Sequence, residues 1–241
     1  MNKMKIEIWS DIACPYCYIG KRKLDRALTK FPHADEVELV WHSYELNPKL
    51  PKQNMGLTYA QYFSMQNDCS LDDANDHLSG IVKLAKDTGL AYNFDNLIVT
   101  NTSDSLRLVK LAKKYNFATE TEEALFKAYF VDGECISDRK VLVRLGVEIG
   151  IPKEEIENML DSDLFKNDLE ADIRYSEDVL NLQFIPFYVF NNKEIIQGII
   201  SEDEYLEVLN KSYAEWKASG VAETPGDIIS GQACSIDGKC S

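Results

Sequence analysis

The sequence predicts an α/β protein in which a β-α-β unit and a β-β-α unit flank a block of helices. Three observations support this prediction. Residues 6–9 form a short apolar run, residues 58–181 show helical periodicity almost throughout, and strand-like sequence returns at residues 187–197. Strands and helices differ in the period of their apolar positions, so this order of patterns gives the order of elements.

The first unit places two cysteines at the end of its first strand. The strand predicted at residues 6–9 stops at Ser10-Asp11 and is followed by Cys14-Pro-Tyr-Cys17. A helix is predicted from there to residue 30, because its apolar residues share one face and Pro15 suits a first helical turn. A second strand is predicted at residues 37–42. The CxxC motif therefore lies at a strand-to-helix junction.

The middle block contains only helical patterns. Capping residues and breakers predict its helices at residues 71–88, at 103–115, from a box formed by Thr119 and Glu122, from Ser137 to 150, at 153–160 and at 163–181. A hairpin then follows, with strands at 187–190 and 194–197 around Asn191-Asn192. Ser201 and Glu204 are predicted to cap a last helix that reaches Lys217.

Composition narrows the class of partner. The 241 residues include 40 acidic and 26 basic side chains, which leaves a formal net charge of -14. A protein needs a basic patch to bind nucleic acid or an anionic membrane surface, so neither is expected as a partner. The amino terminus lacks the apolar stretch of a secretory signal and no window is apolar enough for a membrane helix, so we expect a cytoplasmic protein.

The C-terminal residues differ from the rest of the chain in composition and in periodicity. Four of the twelve glycines fall within residues 220–241, where helical and strand periodicity are both weak. We therefore predict a flexible tail over residues 220–241, and it carries Cys234 and Cys240.

The CxxC motif predicts thiol chemistry. A thiolate is the nucleophile in disulfide exchange, and the positive end of a helix dipole favours it at a helix N-terminus. Cys14 occupies that position and is predicted to attack, whereas Cys17, one turn further, is predicted to resolve the mixed disulfide. Pro15 and Tyr16 shape the turn without adding a basic group. In a reducing cytosol, cysteine spacing of this kind indicates redox catalysis or a metal site.

A zinc site is the structural alternative for the cysteines. Cys14 and Cys17 would supply one half and Cys234 and Cys240 the other, but the five-residue gap in the second pair is longer than in most zinc knuckles. We therefore predict no metal. The tail pair has two interpretations: idle thiols, or a second redox pair that exchanges with or guards Cys14 and Cys17. Cys69 and Cys135 are predicted to be inert buried thiols.

Residues 9–24, Trp-Ser-Asp-Ile-Ala-Cys-Pro-Tyr-Cys-Tyr-Ile-Gly-Lys-Arg-Lys-Leu, resemble the active-site signature of the DsbA family, in particular its FrnE-like cytoplasmic branch. Residues 44–48, 125–137 and 185–190 are similar to the same branch. The resemblance implies a thioredoxin-like fold, formed by residues 1–57 and 182–219, with an all-helical domain at residues 58–181 inserted between its halves.

The resemblance also assigns residues around the cysteines. It implies that Pro186 is a cis-proline packed against the CxxC motif and that Ile185 offers backbone groups to an extended substrate, which would add as a short strand. Trp9, which opens the signature, is predicted to contact substrate as well.

The predicted function is that of a protein disulfide reductase or isomerase. Its partners would be protein or peptide thiols and disulfides, with glutathione or a thioredoxin-type protein as reductant. Its only redox group would be the disulfide of its own cysteines. Two alternatives remain. One is a glutathione-dependent isomerase or transferase similar to the 2-hydroxychromene-2-carboxylate isomerases, which usually have serine at the position of Cys14. The other is a thioredoxin-fold adaptor that binds a client protein and uses its cysteines as a redox sensor.

Overall fold

A computed structural model of the protein describes residues 3–219 and 228–240. Its central sheet has the strand order β2-β1-β4-β5-β6, and a separate two-stranded sheet joins β3 to β7. The strands are β1 (Met4–Ser10), β2 (Val37–Ser43), β3 (Phe184–Ile185), β4 (Phe187–Phe190), β5 (Glu194–Gln197), β6 (Ile228–Ser230) and β7 (Cys234–Ser235).

The helices of the described residues are α1 (Pro15–Lys30), α2 (Tyr59–Asn67), α3 (Leu71–Asp87), α4 (Ser103–Lys113), α5 (Ala118–Phe130), α6 (Arg139–Ile149), α7 (Lys153–Leu160), α8 (Lys166–Asp178) and α9 (Glu202–Ser219). Helices α1 and α9 pack against each other beside the sheet, and α2 to α8 follow one another between β2 and β3. The predicted class, α/β with a helical insertion, is confirmed. The boundaries at residues 57/58 and 181/182 stay predictions.

The two halves of the central sheet meet at β1. This strand pairs with β2 in parallel and with β4 in antiparallel orientation, so Trp9 lies opposite both His42 and Phe187. Parallel neighbours require a crossover, which α1 supplies. Strand β1 is buried along most of its length, and it delivers the chain into the loop that precedes α1. The sheet thus fixes where the CxxC motif stands.

Two turn predictions are confirmed. The hairpin of β4 and β5 turns at Asn191 and Asn192, both with positive φ, of 47° and 58°. Asparagine tolerates this left-handed conformation better than most residues. At the start of α9, Ser201 Oγ accepts from the Glu204 amide at 3.2 Å, and the Glu204 carboxylate accepts from the Ser201 amide at 2.8 Å. This is the expected capping box.

Three helix starts differ from the prediction. Helix α5 begins at Ala118, so Thr119 and Glu122 lie inside it and form no cap. Helix α6 is capped by Asp138 rather than Ser137, because the Asp138 carboxylate accepts from the Lys140 amide at 2.7 Å. Helix α2 was not predicted as a separate element, although Thr58 forms a complete capping box with Gln61. Spacing alone does not distinguish among neighbouring polar residues that can all cap a helix.

The described part of the predicted tail is ordered into strands. Strand β6 adds to the edge of the central sheet parallel to β5, and β7 pairs antiparallel with β3. Sequence periodicity could not reveal strands of three and two residues, because so short a run shows no alternation. The flexibility of the tail stays a prediction, although Ile228–Ser230 and Cys234–Ser235 form strands. Residues 220–227 and 241 of that tail lie outside the described residues.

Candidate active site

Cys14 occupies the N-cap of α1. Its backbone is extended (φ -85°, ψ 113°), its amide donates to Asp11 O at 3.0 Å, and its carbonyl accepts from the Cys17 amide at 3.1 Å. Pro15 takes the first helical position, where an amide proton would have no partner within the helix. The cysteine sulfur is thereby placed at the end of α1 where backbone N–H groups point outward. Both cysteines of the motif carry free thiols.

Cys17 lies one turn into α1 and is almost as deeply buried as Cys14. Only 2% of the residue is exposed. Burial, followed by a hydrogen bond and charge repulsion from Cys14, raises its pKa well above the usual value, while the Ser10 hydroxyl acts in the opposite direction. Burial, more than the charge on Cys14, therefore favours the protonated form of Cys17. Contact between the two sulfurs matches the geometry that an internal attack requires.

The second half of the fold brings Ile185 and Pro186 to the same place. The Ile185–Pro186 peptide bond is cis. The Cys14 thiol lies 3.8 Å from the Ile185 carbonyl oxygen, which it meets as a hydrogen-bond donor. The predicted catalytic cysteines and the predicted substrate-binding residue are therefore neighbours in space.

Gly20 makes this close approach possible, and sequence reasoning missed it. A Cβ built on Gly20 would lie 2.4 Å from the Tyr188 hydroxyl and 3.2 Å from Cγ of Pro186. The glycine lets α1 approach the proline and strand β4 directly. The signal available in the sequence was a glycine inside a helix, which is destabilising unless packing requires it.

Buried tyrosines surround the sulfur of Cys14. Tyr16 from the motif, Tyr59 from α2 and Tyr92 from the loop after α3 all have raised pKa values, chiefly because of burial. The charge on Cys14 adds to the rise in each case, after Tyr62 in the case of Tyr59. For Tyr16 the pKa rises to about 12. The Tyr92 hydroxyl donates to Pro15 O at 2.7 Å and so fastens the insertion to the start of α1. These aromatic groups stay neutral at physiological pH and shield the thiol from water.

Asp11 supports the loop before Cys14. Its carboxylate accepts from the Ala13 amide at 3.2 Å and from the Leu46 amide at 2.8 Å. Burial raises its pKa to about 6, against the opposing effect of the Leu46 hydrogen bond. The residue holds the β1–α1 loop against the segment after β2, and sequence reasoning assigned it no role beyond forming a turn.

The tail brings Cys234 to the same site. Strand β7 sets Cys234 opposite Ile185, and Cys234 is fully buried. It forms a disulfide with Cys240. The pair predicted as a possible second redox centre thus lies beside the residue that contacts Cys14.

Comparison with known proteins identifies the family. Residues 5–214 match the DSBA-like thioredoxin domain. The chain belongs to this DsbA-like family. A probable DsbA oxidoreductase from Streptomyces coelicolor is 30% identical, with a TM-score of 0.82 over 99% of this chain and 98% of that one. Both findings support a thiol-disulfide oxidoreductase.

More distant relatives include a sequence match and two similar structures. The uncharacterized protein YwbO of Bacillus subtilis is 22% identical over 208 residues, which cover 85% of this chain and 95% of that protein. The cytosolic disulfide reductase DsbM from Pseudomonas aeruginosa is 16% identical, with a TM-score of 0.60 over 88% of this chain and 99% of that one. A structure of DsbM with GSH is also similar to this chain.

Trp9 packs between the sheet and α8 in this DsbA-like chain. The side chain is fully buried, stacks on His42 at 4.3 Å and on Tyr175 at 6.1 Å, and donates from Nε1 to Asp172 O at 3.3 Å. These contacts join the sheet to α8. Trp9 is therefore packed in the core, and its contact with substrate stays a prediction.

The remaining cysteines lie apart from the site. Cys69 and Cys135 are half-buried free thiols, and Cys135 contacts the hydroxyls of Thr100 and Ser137. Among residues 3–219 and 228–240, no three His, Cys, Asp or Glu side chains are grouped so that they could hold a metal ion. Within the same ranges no helix has the length and apolar character needed to cross a membrane.

Proposed function

We propose that this DsbA-like protein reduces and isomerises protein disulfides, with Cys14 as nucleophile and Cys17 as resolving thiol. The observation that carries the proposal is the placement of both free thiols at the start of α1, with the Cys14 sulfur 3.8 Å from the backbone of Ile185. An extended polypeptide bound along Ile185 would present its own disulfide to Cys14.

The exchange proceeds in two steps. The Cys14 thiolate attacks one sulfur of a client disulfide, which forms a mixed disulfide and releases the other client sulfur as a thiolate. Cys17 then loses its proton and attacks the Cys14 sulfur, which releases the client as a dithiol and leaves a Cys14–Cys17 disulfide. Two electrons pass to the client. When a client cysteine attacks the mixed disulfide instead, the result is isomerisation.

Glutathione is the proposed reductant of the resulting disulfide. Two glutathione thiols would return Cys14 and Cys17 to the reduced form and leave as glutathione disulfide, which balances the electrons. The similar fold of DsbM, for which a structure with GSH exists, supports this choice. We place the reaction in the cytoplasm, where the glutathione pool keeps such a dithiol reduced.

Cysteine at both motif positions favours this proposal over an isomerase that works on bound glutathione. An isomerase of that type needs no second thiol. Here the second thiol contacts the first, and burial favours its protonated form. Pro15, Tyr16 and Pro186 are proposed to shape the site, since they pack around the sulfur without an ionisable group that titrates near pH 7.

Reduction of insulin disulfides with glutathione as electron source tests the proposal. Wild-type protein should accelerate the reaction, Cys14→Ser should abolish the acceleration, and Cys17→Ala should accumulate a covalent adduct with the client. Cys69→Ser is the matched control, because that half-buried free thiol lies between α2 and α3, outside the motif. Equal activity in wild-type protein and Cys14→Ser would refute the proposal.

We further propose that Cys234 and Cys240 form a second redox pair. Transfer of the tail disulfide to Cys14 and Cys17 needs no external reactant: Cys14 attacks Cys234, Cys240 leaves as a thiolate, and Cys17 resolves the bond. The position of Cys234 opposite Ile185 supports this exchange.

A further inference from the structure

The C-terminal segment 228–240 follows a defined path from the edge of the sheet to the active site. After β6 it passes β5, where the Gly231 amide donates to Gln197 O at 2.7 Å and the Ile199 amide donates to Gln232 O at 2.8 Å. Beyond β7 the Ile236 amide donates to Gln183 O at 3.1 Å. Backbone bonds therefore hold the segment on both sides of Ile185.

Two glycines face each other where the segment crosses the loop after β5. A Cβ on Gly231 would lie 1.8 Å from Ile199 O, and a Cβ on Gly198 would lie 2.5 Å from Gly231 O. Gly198 also has a φ of 81°, a conformation that disfavours other residues. The two glycines thus allow the backbones of the two segments to approach more closely than a Cβ at either position would allow.

Strand β7 occupies the backbone edge of β3. Its partner residues are Phe184 and Ile185, which directly precede the cis peptide bond. Ala233 and Cys234 are buried, with 2% and 0% exposure, and Cys14 is itself 0% exposed. A nucleophile that must meet a disulfide in another protein is therefore closed off while the segment is in place.

The end of the segment also covers a small cavity. Gly238 and Cys240 help to enclose a cavity of about 30 Å³ that is also lined by Asp11, Tyr59 and Tyr62. Such a volume holds little more than a water molecule. Removal of the segment would open this cavity beside the β1–α1 loop, next to the cysteine motif.

We propose that segment 228–240 is a tethered occupant of the client-binding edge and that clients bind only when it leaves. The proposal rests on the proposed function, because it takes Ile185 as the residue along which a client strand adds. The register of the segment then specifies the client: its strand runs antiparallel to β3, and its reactive cysteine takes the position of Cys234 opposite Ile185. The occupant competes with every client, since the edge of a strand accepts one partner.

Steady-state kinetics with a disulfide-containing peptide test the competition. A chain ending at residue 219 should lower KM by at least about tenfold, because the client no longer competes with the segment for the edge of β3. Gly231→Ala in the full chain should act in the same direction, since the added Cβ displaces the crossing without removing β6. Lys239→Ala is the matched control, because this exposed tail side chain forms a long ion pair of 3.8 Å with Asp237 and takes no part in the backbone crossing. An unchanged KM in both the shortened chain and Gly231→Ala would overturn the proposal.

A binding experiment separates this proposal from the catalytic one. A labelled synthetic peptide of residues 228–240, with its internal disulfide, is titrated into proteins that carry Cys14→Ser and Cys17→Ser. The shortened chain should bind the peptide and release it when a disulfide-containing client peptide is added, whereas the full chain should not bind it. Binding without any turnover by the wild-type enzyme would refute the catalytic proposal alone. Failure of the client peptide to displace the labelled peptide would refute tethered occupancy.

Discussion

The sulfur of Cys14 lies 3.8 Å from the carbonyl oxygen of Ile185, although 171 positions separate the two residues in the chain. This contact joins the β-α-β half of the fold to the β-β-α half across the whole helical insertion. Ile185 is also the register partner of Cys234. Ile185 therefore contacts Cys14, forms the cis peptide bond with Pro186 and pairs with Cys234. A change in its position would affect all three.

The raised pKa of Cys17 makes resolution depend on pH. In a mixed disulfide Cys14 carries no charge, so the repulsion from Cys14 is gone, but burial still holds the Cys17 thiol in its protonated form. The reactive thiolate fraction should then grow about tenfold for each pH unit below that pKa. We expect resolution of a preformed mixed disulfide between Cys14 and a chromogenic thiol to accelerate from pH 6 to above pH 8.

Release of the chromogenic thiol, followed by absorbance, measures that step in isolation. Cys17→Ala should release none at any pH and so serves as the control. A resolution rate that is flat across this range would contradict a buried, protonated resolving thiol.

The packing of Gly20 predicts a sharp response to one methyl group. Gly20→Ala would place Cβ 2.4 Å from the Tyr188 hydroxyl and 2.9 Å from Cγ2 of Ile199, so α1 must move away from β4 and Pro186. Overpacking of this kind costs about 1–3 kcal/mol. Urea unfolding should show this loss, and disulfide reduction should slow because Cys14 and Ile185 separate.

Gly80→Ala is the matched control for Gly20→Ala. Gly80 also lies inside a helix, α3, but nothing lies within 4 Å of its added Cβ. It should therefore gain about 0.5–1 kcal/mol from the better helix propensity of alanine. Equal effects of the two substitutions would show that helix propensity, rather than the contact with Pro186, decides the role of Gly20.

The order of the long elements could be predicted because each carries its own local signal. Strand β1, helix α1 and the Asn191-Asn192 hairpin all form where periodicity and turn residues indicate. The pairing of Ile185 with Cys234 could not be predicted in this way. Two-residue strands gain their stability from partners that are distant in the chain, and no local pattern reports such a partner.

The candidate site shows the same division. Cys14 and Cys17 were recognisable from spacing and position, since both the thiols and the helix start are local features. The placement of Trp9 in the core and the enclosure of Asp11 depend on α8 and on the segment near Leu46, which only the folded chain brings there. Sequence reasoning placed Cys14 and Cys17 together at the start of a helix and missed most of their surroundings.

Two adjacent glutamates on α5 predict opposite responses to pH. Glu122 is 1% exposed, and its Oε2 has no hydrogen-bond partner in the described part of the chain. Burial raises its pKa from 4.5 to about 8, although Lys21 opposes the shift. Between these values the folded protein binds a proton that the unfolded chain has lost. Stability should therefore fall as pH rises from about 4.5 to 8, by up to about 1.4 kcal/mol per pH unit.

Urea unfolding between pH 5 and 9 measures this slope. Glu122→Gln cannot ionise, so its stability should depend less on pH and exceed that of the wild type at pH 8. Glu123 is the matched control, because its carboxylate bonds to Tyr18, Lys21 and Arg22 and these groups keep its pKa below the usual value. Glu123→Gln should lose stability at neutral pH and retain the wild-type slope above pH 6. An unaltered slope in Glu122→Gln would assign the pH dependence to other groups.

If Cys234 and Cys240 form a second redox pair, the Cys14–Cys17 disulfide should re-form faster in the wild type than in a variant without that pair. Cys234 is held opposite Ile185, so the tail disulfide can react with Cys14 without diffusion. Once an oxidant has formed the Cys234–Cys240 disulfide, that disulfide should be transferred rapidly to Cys14 and Cys17. We expect the double variant Cys234→Ser, Cys240→Ser to regain its Cys14–Cys17 disulfide more slowly than wild type after addition of a protein-sized oxidant. Quenched samples, alkylated and separated by mass, report each disulfide with time.

The same double variant must be compared with a chain ending at residue 219, because the tail also covers the site. If the segment only obstructs access, the chain ending at residue 219 exposes Cys14 and should regain the motif disulfide faster than wild type, whereas the double serine variant keeps the backbone pairing of β7 and should match wild type. If the tail pair relays electrons, the double serine variant keeps much of the obstruction but loses the relay, so it should be the slowest of the three proteins. A rate in the double variant equal to or above that of the wild type would therefore exclude the relay while leaving tethered occupancy to be judged by its own KM and binding tests.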